Sequence, residues 1–254
     1  MLEGMRDDDQ TTIRRLLGDV RVQSLGAGLD HRVYAVGDTL VARFGEGAEA
    51  EAALLEAIAP RLPLPVPVPI AIDAEAGCLI QPRMSGAPLL ALPRVARHAF
   101  AAPLLAFVDA LHALDVDLPE DDTPLVVWVD EAAETLAAVR DELPAHRRAG
   151  IERVLAQPVP APAGRTLIHG DLGSEHVFVD AGRITGVIDW GDAAIGDPAL
   201  DHGRLMRDFG VDLGERARLC AVCTALEDLA YGLETSDDRY HSNALAALEA
   251  LSAW

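Results

Sequence analysis

The spacing of apolar residues changes once along this chain, and the change constrains the fold more than any single residue does. Residues 20–44 alternate apolar and polar side chains, with Gly26, Gly28 and Gly37 between the runs, which predicts three short antiparallel strands. Two later apolar runs, 68–72 and 78–81, predict two further strands. The first third of the chain therefore predicts a five-stranded antiparallel sheet.

Two helices are predicted beside this sheet, at Thr11–Leu17 and Ala48–Ala59, and proline at every second position of residues 63–69 excludes a helix there. From about residue 92 onward the apolar spacing is helical, apart from a β-like stretch at 165–190. The pattern as a whole predicts an α+β fold with a small sheet lobe followed by a larger, mostly helical lobe.

The absence of lysine excludes several enzyme classes. All 21 basic residues are Arg, so the chain has no ε-amine for a Schiff base, a pyridoxal-phosphate anchor or a Gly-x-x-x-x-Gly-Lys-Ser/Thr phosphate loop. With 41 acidic residues the formal net charge is -20, which argues against nucleic acid and anionic membranes as partners. An Arg-only, alanine-rich composition is also typical of a GC-rich genome, so the charge total has a second explanation.

Three cysteines, Cys78, Cys220 and Cys223, are too few for a disulfide framework, and no leader or long apolar run is visible. We therefore expect a soluble cytoplasmic protein. The pair Cys220 and Cys223 has no second pair of ligands in the sequence, which favours buried core thiols over a metal or redox site.

The densest group of polar residues is Ile168-His-Gly-Asp171-Leu-Gly-Ser-Glu-His176-Val-Phe-Val179, followed by Ile184-Thr-Gly-Val-Ile-Asp189-Trp-Gly-Asp192. Two apolar strands enclose a polar loop, which places Asp171, His176 and Asp189 at neighbouring strand ends. In such an arrangement one carboxylate can accept a proton while another holds a divalent ion that bridges phosphates.

This pattern resembles the aminoglycoside phosphotransferase family of small-molecule kinases, which have the bilobal protein-kinase-like fold. The resemblance spans nearly the whole chain. It implies a nucleotide-binding lobe at 1–82, a hinge at 83–88 and a catalytic and substrate-binding lobe at 89–254. It also implies that Asp171 is the catalytic aspartate, that Asp189 binds the metal, and that the two meet across the terminal phosphoryl group of a nucleotide in the crevice between the lobes.

His176 departs from the family pattern, in which Asn most often supplies an amide oxygen to the metal. Magnesium prefers oxygen ligands, so an imidazole there contacts the ion less well, favours Mn²⁺, or only orders the loop. These alternatives stay open. Histidine at this position resembles the macrolide-phosphorylating branch, which widens the range of acceptors beyond aminoglycosides.

In the small lobe, Gly26 and Gly28 lie in a hairpin of the kind that covers nucleotide phosphates, although the same residues also suit an ordinary β-turn. Alternation along the third strand puts Val41 and Arg43 on one face. We predict that Val41 contacts the base and Arg43 the phosphates, where kinases usually have Lys and where a guanidinium can bind phosphate through two hydrogen bonds.

Helical geometry selects the acid that pairs with Arg43. At 100° per residue, Glu51 lies on the apolar face of the predicted helix with Leu54, Leu55 and Ile58, whereas Glu49 and Glu56 point away. An inward carboxylate needs a partner, so we predict a Glu51–Arg43 ion pair. The resemblance further implies that Pro82 and Met84 border the base of ATP or GTP through backbone groups.

The acceptor is not named by the sequence. Ten acidic residues at 111–144 face a single Arg140, which favours either a solvated face or a cationic acceptor. Trp254 either packs on the last helix or covers a substrate. Aminoglycosides, macrolides and ordinary metabolites that carry a hydroxyl all fit, and a role in antibiotic resistance follows from the family alone.

The leading hypothesis is a kinase of a small-molecule hydroxyl that uses ATP or GTP and Mg²⁺, with Mn²⁺ as the alternative ion. Two other hypotheses stay open. One is a metal-dependent hydrolase with His169, Asp171, His176 and Asp189 as ligands. The other is a catalytically silent nucleotide-binding module, which the departures at His176 and Arg43 motivate.

Overall fold

The computed structural model describes residues 6–27, 31–121 and 123–252. Contacts divide the chain into two compact units. The N-terminal unit comprises Met1–Gly86 and Phe178–Gly191, and the C-terminal unit comprises Ala87–Val177 and Asp192–Trp254. Gly28 and Trp254 lie outside the described residues.

The N-terminal unit contains the predicted five-stranded antiparallel sheet. Its elements are α1 (Asp7–Leu17), β1 (Val22–Ala27), β2 (Arg32–Val36), β3 (Leu40–Phe44), α2 (Ala48–Ile58), β4 (Ala71–Asp73) and β5 (Cys78–Pro82). The strands are arranged in the order β1-β2-β3-β5-β4, and a bulge interrupts the pairing of β1 with β2 between Ser24 and Gly26. Strands β8 (Val177–Asp180, of which Val177 belongs to the C-terminal unit) and β9 (Arg183–Val187) follow much later in the chain.

Alternation along the strands creates the core of this unit. Tyr34, Ala42, Phe44 and Ile80 are buried on one side of the sheet together with Ile13 of α1. Leu79 packs with Ala48 and Ala52 of α2, in a separate cluster. The period of two seen in the sequence therefore corresponds to two covered faces of one sheet.

Helix α1 begins four residues earlier than the sequence predicts, at Asp7 rather than Thr11. Its first turn is acidic, and the buried Asp9 accepts hydrogen bonds from the Tyr34 hydroxyl at 2.7 Å and from Arg32 Nε at 2.8 Å. Hydrophobic periodicity missed this turn because a carboxylate with sheet partners, rather than an apolar side chain, holds the turn to the sheet.

The C-terminal unit is mostly helical, as predicted. Its elements are β6 (Ala87–Pro88), α3 (Arg94–Arg97), α4 (Ala101–His112), α5 (Leu125–Ala138), α6 (Ala145–Leu155), β7 (Thr166–Ile168), β10 (Ala194–Gly196), α7 (Ala199–Phe209), α8 (Glu215–Thr235) and α9 (Asp238–Ser252). Short 3₁₀ turns lie at Leu89–Ala91, His98–Phe100 and Arg140–Glu142, and a further one at Ala59–Arg61 follows α2 in the N-terminal unit. Strand β7 pairs antiparallel with β10, so that Ile168 at the end of β7 lies opposite Ala194 at the start of β10.

All three cysteines are free and buried, with Cys78 in the sheet and Cys220 and Cys223 on α8, where the sequence predicted core thiols. Burial raises the pKa of the Cys78 and Cys223 thiols to about 12. Across the described ranges, no helix combines the length and the apolar character needed to cross a bilayer.

Candidate active site

The loop that follows β7 carries the predicted catalytic residue, and α7 holds the start of this loop in place. Asp201 is fully buried and accepts hydrogen bonds from the backbone N–H groups of His169 at 3.0 Å and Gly170 at 3.1 Å. His112 Nε2 lies 2.9 Å from Asp201 Oδ2. Asp201 therefore braces the loop backbone.

The end of the same loop is held by a second buried acid. Asp208 accepts a hydrogen bond from the Ser174 N–H at 2.7 Å and is paired with Arg207, whose side chain is fully buried. The Ser174 hydroxyl accepts a hydrogen bond from Arg97 at 3.2 Å. Residues 169–174 are thus fixed at both ends by α7.

Asp171 lies between two basic side chains. Arg204 Nη1 is 2.7 Å from Asp171 Oδ1, and His176 Nδ1 is 3.3 Å from Asp171 Oδ2. The Asp171 side chain keeps 26 % of its surface exposed. Burial alone would raise the pKa of Asp171, but the charges of Arg204, His176 and His169 outweigh it and lower that pKa to about 2. Asp171 is therefore an ionised carboxylate with access to solvent.

Glu175 adds a third ligand-type side chain beside Asp171 and His176. Each of these residues offers a carboxylate oxygen or an imidazole nitrogen, and the three atoms lie within 4.8 Å of one another. Glu175 Oε2 is buried and makes no hydrogen bond. A buried, unsatisfied carboxylate oxygen is costly unless it meets a cation, so this donor set fits a divalent ion such as Mg²⁺ or Mn²⁺.

In the N-terminal unit, Arg43 forms the predicted ion pair with Glu51. The guanidinium also lies 2.7 Å from His31 Nε2 and 3.8 Å from Asp189 Oδ1. Arg43 therefore links the carboxylate on α2 with the predicted metal-binding aspartate. The ion pair is confirmed, whereas the predicted contact of Arg43 with nucleotide phosphates stays a prediction.

The backbone at Asp189 is left-handed, with a φ of 66°. Non-glycine residues rarely adopt this conformation, although Asp tolerates it better than most, and such strain concentrates at functional positions. At Gly191, a Cβ would come within 3.3 Å of Arg43 Nη2, so glycine permits the close approach of the guanidinium. Asp189 is partly exposed, with 38 % of its side-chain surface accessible.

The remaining predicted nucleotide contacts all fall in the N-terminal unit. Gly26 lies on β1 at the bulge, and Val41 pairs with Gln81 across β3 and β5. Pro82 ends β5, and Met84 packs so closely over Gly186 that a Cβ there would lie 2.0 Å from the Met84 sulfur. The roles of Gly26, Gly28, Val41, Pro82 and Met84 in binding nucleotide stay predictions, as does the meeting of Asp171 with Asp189.

Arg204, Asp208, Glu175 and His31 were missed as site residues. A signal for two of them exists in the sequence, because Asp201, Arg204 and Asp208 are spaced i, i+3 and i+7 and share one face of a helix. Glu175 directly precedes His176. No comparable signal marks His31, whose partner Arg43 lies on β3.

The fold and the braced loop define a protein of the kinase-like phosphotransferase class. The family model APH, described as the phosphotransferase enzyme family, matches residues 21–230. The chain therefore belongs to this family.

Two curated relatives carry antibiotic names. The chain is 28 % identical over 134 residues to hygromycin-B 4-O-kinase of Escherichia coli, an alignment that covers 46 % of this chain and 39 % of the relative. It is 32 % identical over 150 residues to viomycin phosphotransferase of Streptomyces vinaceus, covering 53 % of this chain and 51 % of the relative. The chain thus spans about half or less of the length of these relatives.

A solved structure supports the fold over the full length. The GDP and kanamycin complex of the phosphotransferase APH(2")-IIIa matches 98 % of this chain and 99 % of its own, with a TM-score of 0.69 and 22 % identity. At this identity the likeness shows the kinase-like fold, which confirms the predicted fold class.

Proposed function

We propose that this protein transfers the γ-phosphate of ATP or GTP to a hydroxyl group of a small molecule. The observation that carries the proposal is the state of Asp171, an ionised and partly exposed carboxylate on a loop that α7 braces at both ends. A rigid anionic acceptor at this position can hold an incoming hydroxyl group in line for attack.

The acceptor oxygen forms a bond to the γ-phosphorus as the bond from that phosphorus to the bridging oxygen breaks, and ADP or GDP leaves. A carboxylate with a pKa near 2 is a weak base. Asp171 therefore orients the hydroxyl group by accepting its hydrogen bond, and the proton ends on an oxygen of the transferred phosphoryl group. Catalysis then rests on positioning and charge, as is typical of phosphoryl transfer.

For the metal, we propose Asp189 and His176 as ligands, as the family resemblance implies. Within the C-terminal unit, Glu175, whose buried Oε2 lacks a hydrogen-bond partner, is a further candidate beside His176. Mg²⁺, or Mn²⁺ if the imidazole binds, would neutralise phosphate charge when bound. Arg43 supplies further positive charge in the N-terminal unit. Its pairing with Glu51 fixes the guanidinium in one orientation.

We propose that the acceptor is an antibiotic, since the relatives named above act on hygromycin B and viomycin and the solved neighbour holds kanamycin. Macrolides are further candidate acceptors, because histidine at position 176 resembles the macrolide-phosphorylating branch of the family. Most of the ten acids at 111–144 are exposed, which favours a cationic acceptor and disfavours nucleic acid. We place the activity in the cytoplasm, where nucleoside triphosphates are abundant.

The test is a screen for ADP and GDP release with hydroxyl-bearing antibiotics and metabolites, run beside Asp171→Ala. We expect release that depends on one acceptor class and is lost in the variant. Nucleotide binding without release for any acceptor would instead indicate the catalytically silent module. Tightly bound Zn²⁺ or Mn²⁺ without nucleotide affinity would indicate the metal-dependent hydrolase. Of the four ligands in that alternative, the metal-type cluster among the described residues contains Asp171 and His176, together with Glu175.

A further inference from the structure

Arg204 on α7 contacts the predicted catalytic aspartate directly. Its Nη1 lies 2.7 Å from Asp171 Oδ1, and its Nε donates a hydrogen bond to the Gly170 carbonyl oxygen at 3.2 Å. The residue is buried, with 7 % of its surface exposed. One rigid guanidinium therefore holds both the side chain of Asp171 and the backbone that precedes it.

Because of the contact with Arg204, the two carboxylate oxygens of Asp171 have different surroundings. Oδ1 is engaged by a buried charge at short distance. Oδ2 lies 3.3 Å from His176 Nδ1, which already has a closer contact of 2.8 Å to the Asp171 carbonyl oxygen. A carboxylate oxygen can accept two hydrogen bonds, so Oδ2 keeps capacity for a further donor.

We propose that Arg204 is a positioning residue that fixes the Asp171 carboxylate so that Oδ2 accepts the hydroxyl group of the acceptor. This inference rests on the proposed phosphotransferase function. In this role Arg204 acts on the acceptor only through Asp171.

The loop backbone has other hydrogen-bond partners, so the role proposed for Arg204 is distinct from holding that backbone in place. Asp201 holds the N–H groups of His169 and Gly170, and Asp208 holds that of Ser174. Among the described contacts of Asp171, Arg204 provides the closest approach to its carboxylate. Losing Arg204 would therefore free the rotation of one side chain while the backbone stays bound at both ends.

The experiment compares Arg204→Lys and Arg204→Met with the wild-type enzyme at saturating nucleotide and acceptor. We expect Arg204→Met to lower kcat roughly 10- to 100-fold with the nucleotide KM changed less than about twofold, because misplacing a reacting group affects turnover rather than binding. Arg204→Lys retains a positive charge and should recover kcat to within about tenfold of wild type.

Arg147→Met is the matched control. Arg147 is also a largely buried arginine of the C-terminal unit, with a side chain 14 % exposed and paired with Glu249 at 3.2 Å, and its loss should leave kcat unchanged. In an Asp171→Ala background, Arg204→Met should cause no further fall in kcat, because the group on which it acts is gone.

Wild-type kcat in Arg204→Met would overturn the positioning role, as would an equal loss in the Asp171→Ala background. If Arg204→Met does not fold, Arg204→Gln, which keeps a donor without the charge, takes its place with the same expectation. If the wild-type enzyme transfers phosphate and the Arg204 variants retain its kcat, the positioning role of Arg204 is contradicted but the proposed function is not. A wild-type protein that transfers phosphate to no acceptor contradicts the proposed function as well.

Discussion

Arg43 and Glu51 form an ion pair in which both side chains are almost closed to solvent, at 8 % and 5 % exposure. Glu51 lies on the buried face of α2, whereas Glu49 and Glu56 on the same helix are exposed. A helical period of 3.6 residues was therefore enough to select the correct acid from three candidates.

Replacing Glu51 with Gln should destabilise the protein, because it removes the ionic partner of a buried arginine. We expect the free energy of unfolding in urea to fall by about 3 kcal/mol. The nucleotide dissociation constant should rise as well, since Arg43 loses its fixed orientation. Glu56→Gln, an exposed change on the same helix, should alter neither quantity, and equal effects of the two variants would contradict the role of the pair.

Asp171→Ala should lower kcat by roughly 10² to 10⁴-fold, because the acceptor hydroxyl loses the group that orients it. Nucleotide affinity, measured by isothermal titration calorimetry, should change little. Turnover at the wild-type rate in this variant would remove Asp171 from the catalytic position.

Asp189→Gly removes the proposed metal ligand while relieving the left-handed backbone at this position. We expect nucleotide binding to lose its dependence on Mg²⁺ while the fold stays intact by circular dichroism. Asp180→Ala, a change at an exposed carboxylate in the same unit, is the control. A wild-type Mg²⁺ dependence in Asp189→Gly would exclude the metal role.

Asp228 should make the stability of the protein depend on pH. It lies 2.8 Å from Arg207, but burial raises the pKa of Asp228 to about 7, and nearby Glu175 and Asp208 add to the increase. Between about pH 4 and pH 7 the unfolded chain has released a proton that the folded protein retains, so this group contributes less stability as the pH rises.

The side chain in Asp228→Asn cannot ionise. Its free energy of unfolding in urea, relative to that of the wild type, should therefore rise steadily as the pH increases over that range. His202, whose pKa is lowered chiefly by burial, acts in the opposite sense in both proteins, so the difference between them isolates Asp228. Glu227→Gln, at the exposed neighbouring position, should show no such trend. A constant difference between Asp228→Asn and wild type would show that Asp228 is ionised throughout.

Local patterns in the sequence predicted the sheet, helix α2, the β-like stretch that contains β7 to β9, and the burial of Cys220 and Cys223. Each of these depends on the period of apolar residues, which is a short-range property of the chain. The first turn of α1 escaped prediction because its anchor is Asp9, and whether an aspartate is buried depends on Arg32 and Tyr34 far along the chain.

The residues of the candidate site likewise comprise some that the sequence revealed and some that it did not. Asp171, His176 and Asp189 were recognisable because they lie in one motif. The contact of Arg204 with Asp171 joins residues 33 positions apart in sequence, and the one between Arg43 and Asp189 joins two distant segments. Such contacts form only when the helices and strands pack together. The sequence alone therefore identified candidate residues of the site but not the residues that contact them.

The buried thiols have a practical consequence for experiments in solution. Because the three native cysteines are enclosed and Cys78 and Cys223 resist ionisation at neutral pH, a maleimide dye should spare them in the folded protein. A cysteine introduced at Val95, which is 79 % exposed, would then be the favoured point of attachment for a fluorophore, without first removing the native residues.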